Sequence, residues 1–520
     1  MTSFAPRYAL AGLLAAAVAL GAGELAAGLL DATSLVVAVA DRVVDSAPAA
    51  LLHFGIETFG RNDKPALLTG IVLVSLAIGA ALGSPAYRSP VLGAAAFTLF
   101  GIVGILAEAG DPFASETAAL IIGATAAAAG YVTLLVLLRV AGESEGAGDP
   151  AITMPGRATG GRRRFLAFAA AAAGAAPVIA VAGHRVGPSV DVEGQRTGIV
   201  LPPSTSNGTY PQVDELRVDG ISELITPNDD FYRIDTAFVV PRVDVTSWRL
   251  VVKGMVAQPF ELTFEELLAM PAIEEPVTLA CVSNAVGGDL VGNAIWRGVP
   301  LAHILERAGI DPAATQIVGR SVDDFTVGFP TEVALDGRAA MVAYAMNGEP
   351  LPAVHGFPAR LVVPGLYGYV SATKWLAEIE LTTLDAFDAY WIPRGWAKQA
   401  AIKTQSRIDT PHRGRNVAAG RVPIAGVAWG GIRSISRVDV RITRSGASES
   451  TWHTAELGAA LSSSTWRQWV VDDWDATPGE YRLEVRATDG AAAPQVEART
   501  TPAPDGATGW HTVTVTVRAA

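Results

Sequence analysis

Cysteine appears once in 520 residues, as Cys281, within PVTLACVSNAVGGDLVGNAIW (276–296). A lone thiol admits three chemistries. Buried, it is a small hydrophobe. Beside a base such as His303 or His355 it is a nucleophile. It can also be the single protein ligand of a soft metal already held by an organic dithiolene. One cysteine makes no intrachain disulfide, Cys-rich zinc site or iron–sulfur cluster. The surroundings favour the metal. TLACVSN ends a strand, which lets the side chain point into a crevice, and the glycines of AVGGDLVGN let backbone N–H groups approach a ligand. Downstream, HGFPARLVVPGLYGYVSATKW gathers His355, Arg360, Tyr367, Tyr369, Ser371, Thr373 and Lys374. Arg and Lys among hydroxyls and glycines suit a phosphate, or a salt-bridged surface loop.

The elements that must position these residues follow from periodicity. WRLVVKG (248–254) alternates as a strand, TFEELLAM (263–270) opens a short helix at Thr263, and PARLVVPG (358–365) is a buried strand. The region 216–415 is thus expected to be an α+β domain. From 416 to 520, short strands separated by turns predict an immunoglobulin-like β-sandwich, with Trp452, Trp466, Trp469 and Trp474 in its core or its contact with the neighbouring domain. Residues 184–215, rich in Gly, Pro, Ser and Thr, are expected to be a linker.

Residues 1–183 differ in kind. Five apolar stretches, at about 8–30, 65–83, 91–108, 117–138 and 165–183, are long enough to span a bilayer. Asp41, Arg42 and Asp45 interrupt the stretch 34–56, which is expected to lie as an amphipathic surface helix. Arg7, Arg88, Arg139, Arg157 and Arg162 to Arg164 fall in alternate loops. The positive-inside rule then predicts an all-α multi-pass bundle in the cell membrane, with residues 184–520 extracytoplasmic. Arg162, Arg163, Phe165 and Leu166 fit either a twin-arginine export signal or a stop-transfer flank. The seven histidines avoid the spans, so haem held between facing helices is not expected. Glu24 and Glu108 border the spans, as interfacial or paired groups or as marks of a polar path. The net charge of −12, without an extended basic patch, argues against nucleic acid as a partner.

Taken together, NDDFYRIDT (228–236), VTLACVSN, WRGVPLAHIL (296–305), AMNGEPLPAVHGFPARLVVPGLYGYVSATKWL (345–376) and GVAWGGIRSISRVDVRI (426–442) resemble, in order, the motifs of the sulfite oxidase family of molybdopterin enzymes, in its membrane-bound bacterial branch. The resemblance covers roughly 222–520. It implies one Mo-molybdopterin per chain, with no haem and no iron–sulfur cluster. Cys281 would be the metal ligand, with Ser283 and Asn284 beside the cofactor. Arg360, Ser371, Thr373 and Lys374 would hold the pterin and its phosphate, with His355 close by. Asn228 and Arg233 would line the pocket. Tyr390 matches the family's active-site tyrosine, and Arg433 an arginine lent to the substrate by the C-terminal domain, through which a homodimer would form. The expected reaction is oxygen-atom transfer with a small oxyanion or oxide, the electrons passing to or from a separate cytochrome or quinone. The sequence departs from the family in two places: Asp235 replaces a histidine, and a Gly-rich loop replaces arginines after the cysteine. Both lower the positive charge expected of a sulfite pocket. A cofactor-free, membrane-anchored interaction module and a Cys-dependent hydrolase or transferase are the competing readings.

Overall fold

The computed structural model describes residues 6–519 apart from 31, 49–50, 52–53, 56–57, 60–61, 109–114, 144–157, 187–189, 205–209, 212 and 448. The chain divides into two compact units, Met1–Val190 and Asp191–Ala520.

The first unit is helical: α1 (Pro6–Leu30), α2 (Leu35–Ser46), α3 (Asp63–Arg88), α4 (Pro90–Glu108), α5 (Glu116–Glu143) and α6 (Ala158–Val186). All but α2 are long and apolar enough to cross a membrane. Helix α1 packs against α3, α5 and α6, and small residues make the contacts. A Cβ on Gly12 would lie 2.0 Å from the Gly79 carbonyl oxygen of α3, and one on Gly28 1.9 Å from that of Gly183 in α6. Such close backbone approach is how helices associate when their outer faces are apolar, and Leu73, Val91, Leu99 and Val178 are indeed well exposed. Helix α2 is capped by Ser34, whose hydroxyl accepts from the Val36 and Val37 N–H groups and donates to Glu24 (2.5 Å). It ends at Ser46, so the expected amphipathic helix is shorter than 34–56, and part of its remainder lies outside the described residues. The Arg162–Leu166 run lies on α6; His184 falls on the same helix beyond its apolar span, and His53 lies outside the described residues.

In the second unit a short helix, α7 (Val192–Thr197), leads into strands β1 (Arg249–Gly254) and β2 (Phe260–Thr263), helix α8 (Phe264–Ala269), and strands β3 (Ile273–Ala280) and β4 (Val291–Pro300). Helix α9 (Leu301–Ala308), β5 (Gln316–Ser321), β6 (Thr326–Pro330), β7 (Met341–Met346), β8 (Glu349–Pro350), β9 (Arg360–Val362), α10 (Gly368–Ser371) and β10 (Leu376–Thr382) follow. Thr263 and Glu266 form a reciprocal capping box that starts α8. One sheet runs β2-β1-β10-β5-β6, with only β1 and β10 parallel; a second runs β3-β4-β7-β8, with β9 also on β7. Both feed one core around Leu250, Leu262, Phe329, Tyr344 and Leu361.

A β-rich region completes the unit: β11 (Gln405–Thr410), β12 (Asn416–Ala418), β13 (Gly420–Arg421), β14 (Ile424–Trp429), β15 (Ile435–Arg444), β16 (Ser450–Thr454), β17 (Glu456–Leu457), β18 (Arg467–Val471), β19 (Asp475–Ala476), β20 (Gly479–Asp489) and β21 (His511–Arg518). Sheets β11-β14-β18-β17 and β12-β21-β20-β15-β16 share a core of Ile424, Val438, Trp469, Leu483 and Val515. Strand β11, which starts at Gln405, pairs with β14 and joins this sheet although it precedes residue 416. Trp469 and Trp474 are in this core, while Trp466 joins the α+β core and donates to the Leu224 carbonyl (2.8 Å). Trp452 differs from expectation. It is exposed on the outer sheet face, edge-on to Trp510, with the Arg441 and Arg486 guanidinium groups over both rings.

Candidate functional site

The β3–β4 hairpin sets the position of Cys281, the first residue beyond β3. Its N–H donates to the Leu290 carbonyl (2.9 Å), which closes the loop 281–290 onto the ladder. Asn284 shapes that loop: its N–H donates to the Cys281 carbonyl (3.1 Å), and its side-chain oxygen accepts from Leu290 N–H (3.0 Å). Burial pushes the Cys281 thiol up, opposed by hydrogen bonds from the backbone and hydroxyl of Ser283 to the sulfur. The loop glycines also meet the β-rich region. A Cβ on Gly287, at φ +80°, would lie 2.2 Å from the His511 ring, and the Gly288 carbonyl accepts from Arg407 (2.9 Å). The glycines therefore let the hairpin tip close on the β-rich region.

A second cluster is built on β9, α10 and the turn before them. Arg360 is buried, its guanidinium 4.9 Å from the centroid of the fully buried Trp296 ring, and it donates to the His355 carbonyl (3.0 Å). Among the described residues it has no carboxylate within ion-pair distance, and burial pulls it down to about 10. Gly356, at φ +110°, passes between Arg360 and Lys374; a Cβ there would lie 3.0 Å from Lys374 Cα and 3.2 Å from Arg360 Cβ. Lys374 donates to Asp235 (3.1 Å) and to the Val354 carbonyl (3.0 Å), and burial pulls it down to about 8 despite Asp235. Arg233 donates to the same Asp235 oxygen (3.0 Å).

His355 places Nε2 2.9 Å from the Asn228 carbonyl. A carbonyl only accepts, so Nε2 carries the proton and Nδ1 is a bare acceptor; Nδ1 is buried with no hydrogen-bond partner among the described residues, as is the Thr373 hydroxyl. Ser371 is engaged within α10, donating to the Tyr367 carbonyl (3.0 Å). The Asn228 amide is held inside the chain, donating to Glu349 (2.9 Å) and accepting from Asn347 (2.9 Å).

Burial, and then Arg360, Lys374 and Arg233, depress His355 to about 4. The unfolded chain therefore takes up this proton first as pH falls. The stability contributed by neutral His355 is present above about 6.5 and is lost on the way down to about 4, a total of roughly 3 kcal/mol. Urea unfolding of the cofactor-free chain across this range is expected to show a fall in stability that is smaller in His355→Gln.

Two phenols lie within electrostatic reach of Cys281. Tyr232 is pushed far above its ordinary range by burial and then by Cys281, with Arg360 opposing. Tyr367 rises to about 12, mainly through burial, and also feels Asp505, Cys281 and Arg433. Tyr232 was absent from the expected site; its signal was its place between Phe231, which packs edge-on to Trp296 and His355, and Arg233. Tyr390 packs against Phe325 beneath the Arg394 guanidinium (3.7 Å). Arg433 is bound to Asp489 (2.8 Å), Thr404 (3.2 Å) and the Ile402 carbonyl (3.0 Å).

A buried arginine without a carboxylate partner among the described residues is costly unless an anionic group joins it, and a bare imidazole nitrogen is costly unless a donor reaches it. A phosphate-bearing pterin has that character, and the thiol at the hairpin tip is the soft donor a dithiolene-held metal takes. The residues present fit the group.

Residues 237–391 match the family profile described as "Oxidoreductase molybdopterin binding domain". The chain is 31% identical over 293 residues to mitochondrial sulfite oxidase of Homo sapiens, covering 48% of this chain and 52% of that protein. It is 30% identical to sulfite oxidase of Arabidopsis thaliana over 270 residues (43% of this chain, 68% of that one). It is 36% identical to the uncharacterized oxidoreductase YuiH of Bacillus subtilis over 153 residues (29% and 74%). A molybdopterin-binding domain of this kind defines the chain as an oxidoreductase enzyme. More particularly, it belongs to the sulfite oxidase family of molybdopterin-dependent oxidoreductases. It spans about half the length of the human relative.

Proposed function

We propose that this chain is a membrane-anchored oxygen-atom-transfer enzyme whose molybdopterin is held by Cys281 and by the Arg360–Thr373–Lys374 cluster, on the extracytoplasmic side. The observation that carries the reading is the buried Arg360, without a carboxylate partner among the described residues, beside His355 with its bare Nδ1. Bound there, the molybdenum centre would supply two-electron oxygen-atom exchange with the substrate. The chain's own part is orientation and charge. Arg360 and Lys374 would hold the phosphate, and Ser283 would steady the Cys281 sulfur as a thiolate. Tyr232 and Tyr367 stay protonated at working pH and are donors. The five apolar helices are taken as membrane spans, the C-terminal sheets as an immunoglobulin-like sandwich suited to homodimer contact, and a cytochrome or quinone as the electron partner. The domain division follows as helical region, α+β cofactor domain and sandwich.

The substrate reading follows from charge. Arg433 is matched by Asp489 and Lys403 by Asp505, while Asp235 serves both Arg233 and Lys374. Cations already neutralised in this way favour a neutral sulfoxide or N-oxide over anionic sulfite. Reduction of such an oxide takes two electrons and two protons and releases water. The test is a substrate panel on the purified full chain. With a reduced viologen dye, turnover of a neutral oxide is expected to exceed that of sulfite, assayed with an oxidising dye, by at least ~10-fold in kcat/KM, or ~1.4 kcal/mol. Faster sulfite oxidation would overturn the substrate reading.

A further inference from the structure

The segment 228–244 carries Tyr232, Arg233 and Asp235, yet it forms neither helix nor strand. Beyond the turn at Pro227–Phe231, side-chain ties hold it. Two of them come from adjacent residues of α7, within the stretch that composition marks as linker. At one end Gln195 donates to Asp244 (2.9 Å) and accepts from the Val245 N–H (3.0 Å). At the other end Arg196 donates to Glu349 (3.1 Å) and to the Pro350 carbonyl (3.0 Å). The second Glu349 oxygen accepts from the Asn228 amide (2.9 Å), and the Asn228 carbonyl accepts from His355 Nε2 (2.9 Å). Asp191 caps α7 by accepting from the Gly194 N–H (2.8 Å), which fixes the turn presenting both side chains.

We infer that Gln195 and Arg196 clamp the two ends of segment 228–244 and are positioning residues of the cofactor site. Arg196 acts through Glu349 and Asn228 on His355, whose tautomer and ring orientation depend on that carbonyl. Gln195 acts through Asp244 on the end of the segment that enters β1. Partners one step removed from a metal or cofactor site typically cost about 10–100-fold in affinity or activity when lost. The inference rests on the reading of His355, Arg233 and Lys374 as cofactor-side residues.

The test uses full-length variants and two readouts. Trypsin can cut the segment after Arg233 and Arg242, and the cuts are read by mass. Arg196→Ala is expected to speed cleavage after Arg233 by ~10-fold or more, and Gln195→Ala cleavage after Arg242, each with little effect at the other site. Together the two substitutions are expected to lower molybdenum per chain by at least ~10-fold. Glu193→Ala, which removes the neighbouring partner of Arg196 on α7 and leaves its ties to Glu349 and Pro350, is expected to leave both readouts at wild-type level. Unchanged cleavage, or cleavage raised evenly along the chain, overturns the clamp, as does full loading of the double variant. A wild-type chain that holds no molybdenum would remove the cofactor reading instead, and the cleavage pattern would still decide the clamp.

Discussion

Cys281→Ser is expected to leave the chain folded and to abolish its metal. Serine keeps the shape of the side chain at the tip of the β3–β4 hairpin, and its hydroxyl can use the Ser283 contacts that the sulfur uses now. The cost to the fold is therefore about one hydrogen bond's worth or less, ~1 kcal/mol. The cost to the site is of another order. A hydroxyl is a hard, weakly acidic donor and a poor replacement for a soft thiolate. Since losing outer-shell partners of a ligand already costs about 10–100-fold, losing the ligand itself should cost more than that in molybdenum content and in oxidoreductase turnover. Metal analysis beside a thermal melt makes the check: an unchanged melt with molybdenum below about a tenth of wild type. A catalytic thiol without metal would instead give a protein inactivated by alkylation, with nothing to lose by metal analysis.

The second large effect should come from Arg360→Met, in opposite directions for the empty and the loaded protein. Arg360 lies buried over Trp296, and its guanidinium has a backbone carbonyl but no carboxylate among the described residues. Replacing such a buried cation by a hydrophobe of similar length is often neutral or stabilising, here by about 1–2 kcal/mol. The cofactor-free variant should therefore melt no lower than the cofactor-free wild type. Loading should fall by at least ~10-fold, because a charge-assisted, bidentate contact to phosphate is worth about 1.5–3 kcal/mol. A variant that loads fully, or whose empty form is destabilised by several kcal/mol, would show that Arg360 serves the fold and not a phosphate.

What the sequence discloses and what it hides divide along contact distance. The five apolar helices could be read because length and composition suffice. Helix α8 could be read because its capping box is local, and Cys281 at a strand end because alternation and Gly/Asn content are local too. The α+β character and the enzyme class follow from motifs in order. The rest depends on residues far apart along the chain. Gly287 faces His511, Arg407 reaches Gly288, and Arg196 reaches Glu349, and no period or composition records such pairs. Asn228 and Ser371 have the residue types of cofactor ligands; the Ser371 side chain bonds the Tyr367 carbonyl, and that of Asn228 bonds Glu349 and Asn347 across distances that no local pattern records. Asp235, conspicuous in the sequence as a loss of positive charge, gains a specific role as the shared acceptor for Arg233 and Lys374. Helix α7 gives no signal because a Gly/Pro-rich stretch has no amphipathic period, and its order comes from the Asp191 cap and the distant ties of Gln195 and Arg196.

The central claim about the molecule is that this chain carries the cofactor its buried charges call for. The direct measurement is molybdenum and pterin per chain in full-length protein purified from a host that makes the cofactor. About one of each is predicted, with both lost in Cys281→Ser. A folded wild-type chain with neither would contradict it.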